Sequence, residues 1–152
     1  MHQRKIIHRD LKPENVLIVP EEGNASSNFP NVKITDFGFA QFYQHESELN
    51  QAIGTPLYIA PEIIKKESYN TKVDVWSIGV IAHILLSGAV PFYGNSRIEI
   101  YRSIVHTEPK FGRFKTQMSL AAVGFTMLML EKNPLKRPTA AQLLKHPWIT
   151  SL

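Results

Sequence analysis

Asp10, Lys12 and Asn15 stand close together in the octapeptide His8-Arg9-Asp10-Leu11-Lys12-Pro13-Glu14-Asn15, and another acidic residue, Asp36, follows an apolar run downstream. A carboxylate, an ammonium and a carboxamide are what phosphoryl transfer to a hydroxyl asks of a protein. That reaction needs little covalent help and a great deal of positioning and charge neutralisation. Asp10 can accept the hydroxyl proton, and Lys12 sets a positive charge beside it. Asn15 offers a neutral amide oxygen and Asp36 a second carboxylate, both hard ligands suited to Mg²⁺.

The elements that must hold these residues can be read from local patterns. Val16-Leu17-Ile18-Val19 and Val32-Lys33-Ile34-Thr35 are rich in β-branched residues and predict two strands. Between them, Pro20 to Asn31 reads as a loop, long for a hairpin. A docking insert and a tolerated surface insertion both fit it, and the low free-energy cost of lengthening a loop favours the second. Asp36 to Glu62 shows little periodicity, and an irregular stretch of that length inside a compact domain usually has a functional reason.

Val73 to Leu86 is a dense apolar block in which only Asp74, Ser77 and His83 are polar. It predicts a buried central helix, stopped by Gly88 with Pro91 beyond. It is too short for a membrane span and carries Asp74 inside it. Ser96 and Glu99 have capping-box spacing and open a helix from Arg97 to about Val105. Ser119 caps another, with Leu120, Val123, Met127, Leu128 and Leu130 expected on its inner side and Asn133-Pro134 as its end. Thr139 and Gln142 form a second capping box, opening a helix that stops before Pro147. Met127 and Met129 read as core filler. His83 reads as a core or rim histidine, because no second His or carboxylate lies at ligand spacing.

The 152 residues are 43% hydrophobic and 20% charged, which suits one globular domain burying about 70% of its unfolded surface. The absence of cysteine excludes disulfides and thiolate metal sites. Together with the lack of a visible signal peptide, it suggests a cytoplasmic or nuclear setting. The net charge of +4 comes from scattered residues. The densest groups, Arg4-Lys5 and Lys65-Lys66, are too short to argue for nucleic acid, and nothing argues for a membrane.

The octapeptide also fits the catalytic-loop pattern H-R-D-L-x-x-x-N of protein kinases, and Asp36-Phe37-Gly38 and Ala60-Pro61-Glu62 follow in kinase order. From near residue 4 to Leu152 the chain resembles the C-terminal lobe of a eukaryotic serine/threonine protein kinase, most of all the calmodulin-dependent and calcium-dependent group. Gly54-Thr55-Pro56-Leu57-Tyr58-Ile59-Ala60-Pro61-Glu62, Asp74-Val75-Trp76-Ser77-Ile78-Gly79-Val80, Pro91-Phe92, Arg137-Pro138-Thr139 and His146-Pro147-Trp148-Ile149 carry that resemblance further.

The resemblance implies a mainly α fold, a kinase-like C-terminal lobe over residues 1–152, with a small two-stranded β-ribbon carrying the catalytic and metal-binding loops. Residues 36–62 would be the activation segment. It implies ATP and Mg²⁺ as cofactors and protein Ser/Thr hydroxyls as acceptors. Asp10 would be the catalytic base, Lys12 would touch the transferred phosphoryl group, and Thr55 would hydrogen-bond near Asp10. Asn15 and Asp36 would bind the metal, Leu17 would floor the adenine site, and Phe37 would pack beneath Asp36. Glu14 resembles the acidic residue that receives a basic side chain upstream of the acceptor, while Ile84 replaces a second acidic residue found in some such kinases. Phe39 would favour serine over threonine.

Structural roles follow in the same way: Glu62 would pair with Arg137, and Asp74 would hold the catalytic-loop backbone. Arg9 usually receives an activation-segment phosphate. Gln51 stands where relatives often carry Thr or an acidic residue, so the loop is expected to work unphosphorylated at Ser47, with Glu46 or Glu48 as partner for Arg9.

The sequence holds no G-x-G-x-x-G run and no V-A-I-K strand. Residues 1–152 are therefore expected to be a partial catalytic domain, needing the N-terminal kinase lobe as partner and inactive alone. The apolar surface around Leu17 should then be exposed. Calmodulin or a calcium-sensing domain beyond Leu152 would be a further partner. The alternative is a non-catalytic kinase-derived binding module or decoy, which has no physical need for Asp10, Lys12, Asn15 and Asp36.

Overall fold

A computed structural model describes residues 1–19, 30–43, 49, 53–111 and 118–151. Strand β2 (Val16–Val19) pairs antiparallel with β3 (Asn31–Ile34), in the register Val16 to Ile34 and Leu17 to Lys33. This is the expected ribbon. A second, shorter pairing joins β1 (Ile6–Ile7) to β4 (Gln41–Phe42), so the strands form two ribbons where one was expected. Two-residue strands are too short to show periodicity, and only the return of the chain after Gly38 brings these edges together.

The helices are α1 (Pro61–Ile64), α2 (Lys72–Ser87), α3 (Arg97–His106), α4 (Leu120–Met129), α5 (Ala140–Leu143) and α6 (Pro147–Thr150). Helix α2 runs through the core. Val73, Trp76 and Val80 pack with Ile7, Ile59, Ile63, Phe92, Ile104 and Leu130. Its other side carries Val75, which packs with Phe125, Met129 and Leu143. Burial is not complete all round, however: Ile78 is 41% and Leu85 78% exposed. Gly79 lets α4 approach, since a Cβ there would lie 2.7 Å from the Met129 Cβ. Gly88 closes the helix in the left-handed region at φ 67°, donating to the Ile84 carbonyl at 2.8 Å.

The caps form mostly as the spacing implies. Thr139 and Gln142 make a complete capping box, and Ser119 accepts from the Ala122 N–H. Ser96 accepts from the Glu99 N–H, but the Glu99 carboxylate reaches back to the Asn95 N–H instead, so that box is only half made. Helix α4 corrects the sequence reading. Its buried side chains are Ala122, Phe125, Thr126 and Met129; of the residues expected inside, Leu130 just past its end is buried, whereas Leu120 is 89% and Leu128 43% exposed. The helix ends at Met129, before Asn133-Pro134. In a helix apolar on almost every face, periodicity cannot choose the inner one. The close crossing at Gly79 does.

Arg137 and Glu62 form a buried bidentate pair, with Nη1 donating to Oε1 at 2.7 Å and Nη2 to Oε2 at 2.9 Å. Arg137 also donates to the Lys72 and Glu131 carbonyls and lies 5.0 Å above the Trp76 ring. Nearly every donor is used, the condition under which a buried pair is tolerated. His83 is fully buried against Phe111, with Nδ1 donating to the Ala89 carbonyl at 2.9 Å. Burial holds its pKa below the usual imidazole value of 6.5. It is a core histidine, as expected.

Arg137→Ala should cost about 3–5 kcal/mol in chemical denaturation, because Glu62 keeps its burial and loses its counter-charge; an unchanged midpoint would refute the pairing. His83 gives a pH signature. Its folded pKa is depressed, so below about 6.5 the unfolded chain binds a proton that the folded one refuses. Its contribution to stability is complete above that pH and declines as pH falls. The melting temperature should drop between about pH 7 and 5.5, and His83→Phe should flatten that slope.

Candidate functional site

The site begins at an anchor in the core. Asp74, fully buried in the first turn of α2, accepts from the His8 N–H at 3.0 Å and the Arg9 N–H at 2.9 Å, and its Oδ2 meets His2 Nε2 at 2.7 Å. These bonds hold the backbone while Arg9 takes a left-handed φ of 71°. Gly54 lies against the same turn: at φ 120°, a Cβ there would come within 2.8 Å of the Arg9 carbonyl oxygen. Only glycine fits that conformation and approach.

The next residue after each of these is chemical. Asp10 Oδ1 accepts from the Thr55 hydroxyl at 2.8 Å and the Thr55 N–H at 2.9 Å. Asp10 Oδ2 accepts from Lys12 Nζ at 2.8 Å, and the same ammonium donates to Thr55 Oγ1 at 3.2 Å. Burial works to raise the Asp10 pKa, but the bonds from Lys12 and Thr55 and the Lys12 charge outweigh it and hold the carboxyl below its usual range. The bond to Asp10 raises Lys12 in turn, helped by the fields of Glu14 and Asp36. At neutral pH the site therefore holds a carboxylate and an ammonium together.

His8 orders the neighbouring segments. Its Nε2 donates to the Thr35 carbonyl at 3.0 Å, its Nδ1 accepts from the Asp10 N–H at 3.4 Å, and its ring packs 5.0 Å from Phe37. Asn15 Nδ2 donates to the Asp10 carbonyl at 2.8 Å, and the Thr35 N–H donates to the Asn15 carbonyl at 2.9 Å. The β2–β3 ribbon thus delivers Asn15 at one strand start and Asp36 just past the end of the other. Asp36 takes a left-handed φ of 59° and caps the short 3₁₀ turn Phe37–Phe39 by accepting from the Gly38 N–H.

Asp10, Lys12, Thr55 and Asn15 are joined directly, and Asp36 is tied to them through Thr35 and the Lys12 field. Glu14 is exposed beside them, and its charge, after burial, helps raise the Tyr58 phenol. Leu17, 51% exposed, lies on the open ribbon, so the apolar surface expected there is present. Arg9 donates to the Phe39 carbonyl at 2.6 Å and to the Tyr69 hydroxyl at 3.3 Å. Glu46, Ser47, Glu48 and Gln51 lie outside the described residues. His2, Tyr69 and Tyr58 are site neighbours that the sequence reading missed. His2 and Asp74 are 72 residues apart, and no local pattern links them.

Among the described residues, no three His, Cys, Asp or Glu side chains cluster to cage a metal. The Asn15–Asp36 pair fits a different demand. The Asn15 NH₂ is spent on the Asp10 carbonyl, so its amide oxygen remains for a ligand. Mg²⁺ is characteristically held by one or two protein oxygens together with waters and substrate phosphates. Among the described residues, no helix is long and apolar enough to cross a membrane.

A family model described as the protein kinase domain matches residues 1–149. The chain belongs to that family. It is 40% identical over 149 residues to CDPK-related kinase 4 of Arabidopsis thaliana, and 40% over 149 residues to calcium/calmodulin-dependent serine/threonine-protein kinase 1 of Oryza sativa subsp. japonica. It is 41% identical over 149 residues to calcium-dependent protein kinase 6 of Plasmodium berghei. Each match covers 97% of this chain but only 24%, 24% and 10% of those proteins.

Thr55→Ala removes one of the bonds that hold Asp10 ionised. The Asp10 pKa should rise toward the ordinary carboxyl value, read as an upfield-to-downfield carboxyl ¹³C titration with a higher midpoint. An unmoved midpoint would mean that the Thr55 hydroxyl contributes nothing to the charge state.

Proposed function

We propose that this chain is the C-terminal lobe of a serine/threonine protein kinase that transfers the γ-phosphoryl group of ATP to Ser or Thr hydroxyls of protein substrates. The observation that carries this reading is the Asp10 carboxylate, held ionised between Thr55 and Lys12. Asp10 would orient the acceptor hydroxyl and take its proton. Lys12 would stay on the moving phosphoryl group, offsetting charge as it passes between oxygens. Thr55 would keep the carboxylate aimed. Asn15 and Asp36 would hold Mg²⁺, which when bound neutralises phosphate charge. Leu17 would support the adenine ring. The exposed Glu14 supports a preference for a basic residue near the acceptor.

The family membership and the calcium-dependent relatives support protein substrates, and calmodulin or a calcium-sensing domain as further partners. The exposed ribbon face supports an N-terminal lobe as the partner that completes the ATP cleft.

Residues 1–152 alone should bind Mg·ATP weakly and leave a basic serine peptide unphosphorylated in a radiolabel assay. Joined in frame to a lobe bearing a Gly-rich loop and its nucleotide lysine, the same residues should phosphorylate it. In that joined protein Asp10→Asn should lower kcat by about 10²–10⁴-fold with little change in melting temperature. A folded, joined protein that binds ATP yet transfers no phosphate would reject the catalytic reading and favour the binding module.

A further inference from the structure

A pocket of about 270 Å³ lies between the α2–α3 connection, the flank of α3 and the chain beyond it. Of its lining, Pro91 and Tyr93 come from the connection, Arg102 and Ser103 from α3, and Thr107 and Lys110 from the chain beyond. None of these residues takes part in the site around Asp10.

The pocket is built rigidly. Phe92, between Pro91 and Tyr93, is 2% exposed and stacked 5.6 Å from Trp76. The Lys110 N–H donates to the Pro91 carbonyl at 3.3 Å, tying the connection to the chain beyond α3. Thr107 Oγ1 donates to the Ser103 carbonyl at 2.9 Å and lies 3.0 Å from Ser103 Oγ, so the two hydroxyls satisfy each other. Gly94 allows the connection to lie on α3, because a Cβ there would come within 2.5 Å of the Glu99 Cβ.

Its chemistry is specific. The lining surface is mainly apolar, and Tyr93 is 64% exposed. Lys110 Nζ lies 5.5 Å from the Tyr93 ring centroid. Among the described residues neither Arg102 nor Lys110 has an ion pair. Glu99, the one carboxylate in the lining, already accepts from the Asn95 N–H at 2.7 Å. A mainly apolar cleft with two cations that have no carboxylate partner among the described residues complements an apolar side chain flanked by carboxylates. We propose that this pocket docks an acidic peptide segment of a partner protein, which seats an aromatic side chain against Tyr93 and pairs its flanking carboxylates with Arg102 and Lys110. The docking does not depend on the phosphoryl-transfer reading.

The test is fluorescence anisotropy with the chain and a fluorescein-labelled peptide Glu-Asp-Gly-Phe-Gly-Glu-Asp. Saturable binding is expected. It should weaken about tenfold or more when Arg102→Glu and Lys110→Glu are combined, and by as much when the peptide's Phe is replaced by Gly. Replacing its acidic residues by Lys should abolish it. Tyr93→Ala, at an exposed position, should also weaken binding about tenfold, and it decides the matter if the paired charge reversal lowers the melting temperature. Absence of saturable binding, equal binding of the Lys peptide, or a smaller loss on removing either the charges or the aromatic would overturn the proposal.

Discussion

The buried carboxyl group of Asp74 is the contact on which the functional half of the molecule depends. A carboxyl group with no access to water costs several kcal/mol unless its oxygens are satisfied. Asp74 meets that condition with the His8 and Arg9 N–H groups and the His2 ring. The same bonds fix the segment at His8 and Arg9 onto α2, whose Val73, Trp76 and Val80 lie in the core. Because Arg9 is left-handed there, Asp10 turns toward Thr55, and because Gly54 has no Cβ, Thr55 can come close enough to meet it. The cost of burying one acidic residue is therefore what makes the position of another precise.

The site shows how neighbours set the charge on a half-hidden carboxyl. Desolvation alone would push Asp10 toward the neutral acid, which could not accept a proton. Lys12 and the two donors of Thr55 reverse the sign of that effect. Lys12 gains its own stabilisation from the same contact, so neither group is an isolated charge. Arg9 and Arg137 show two further solutions for buried cations. Arg137 pairs with Glu62, whereas Arg9 is met by the Phe39 carbonyl and the Tyr69 hydroxyl. The bond from Arg9 to the Phe39 carbonyl ties the loop that carries Asp10 to the chain just beyond Asp36.

Much of the fold was legible locally, and its failures were systematic. Ser119, Thr139 and Gly88 mark helix ends because capping chemistry acts within one turn. The two ribbon strands could be seen because β-branched residues cluster in them. The inner face of α4 could not be read, because Leu120 and Leu128 are as apolar as Phe125 and Met129. The exposure of Ile78 and Leu85 on α2 was equally hidden, since an apolar run implies burial without saying what covers each face. The β1–β4 pairing joins two-residue strands, too short to leave a pattern.

By itself the sequence determined which groups are available and which family the chain belongs to: Asp10, Lys12, Asn15 and Asp36 lie in short motifs of the protein kinase domain, and such motifs can be read locally. Tertiary structure alone decided the state and aim of those groups. The bonds from Thr55 to Asp10, the hold of Asp74 on the left-handed turn at Arg9 and the grip of His2 on Asp74 join residues far apart in the chain, and the pocket beside Tyr93 exists only where the chain folds back on α3. Such interactions depend on distances of a few ångströms that no one-dimensional pattern encodes.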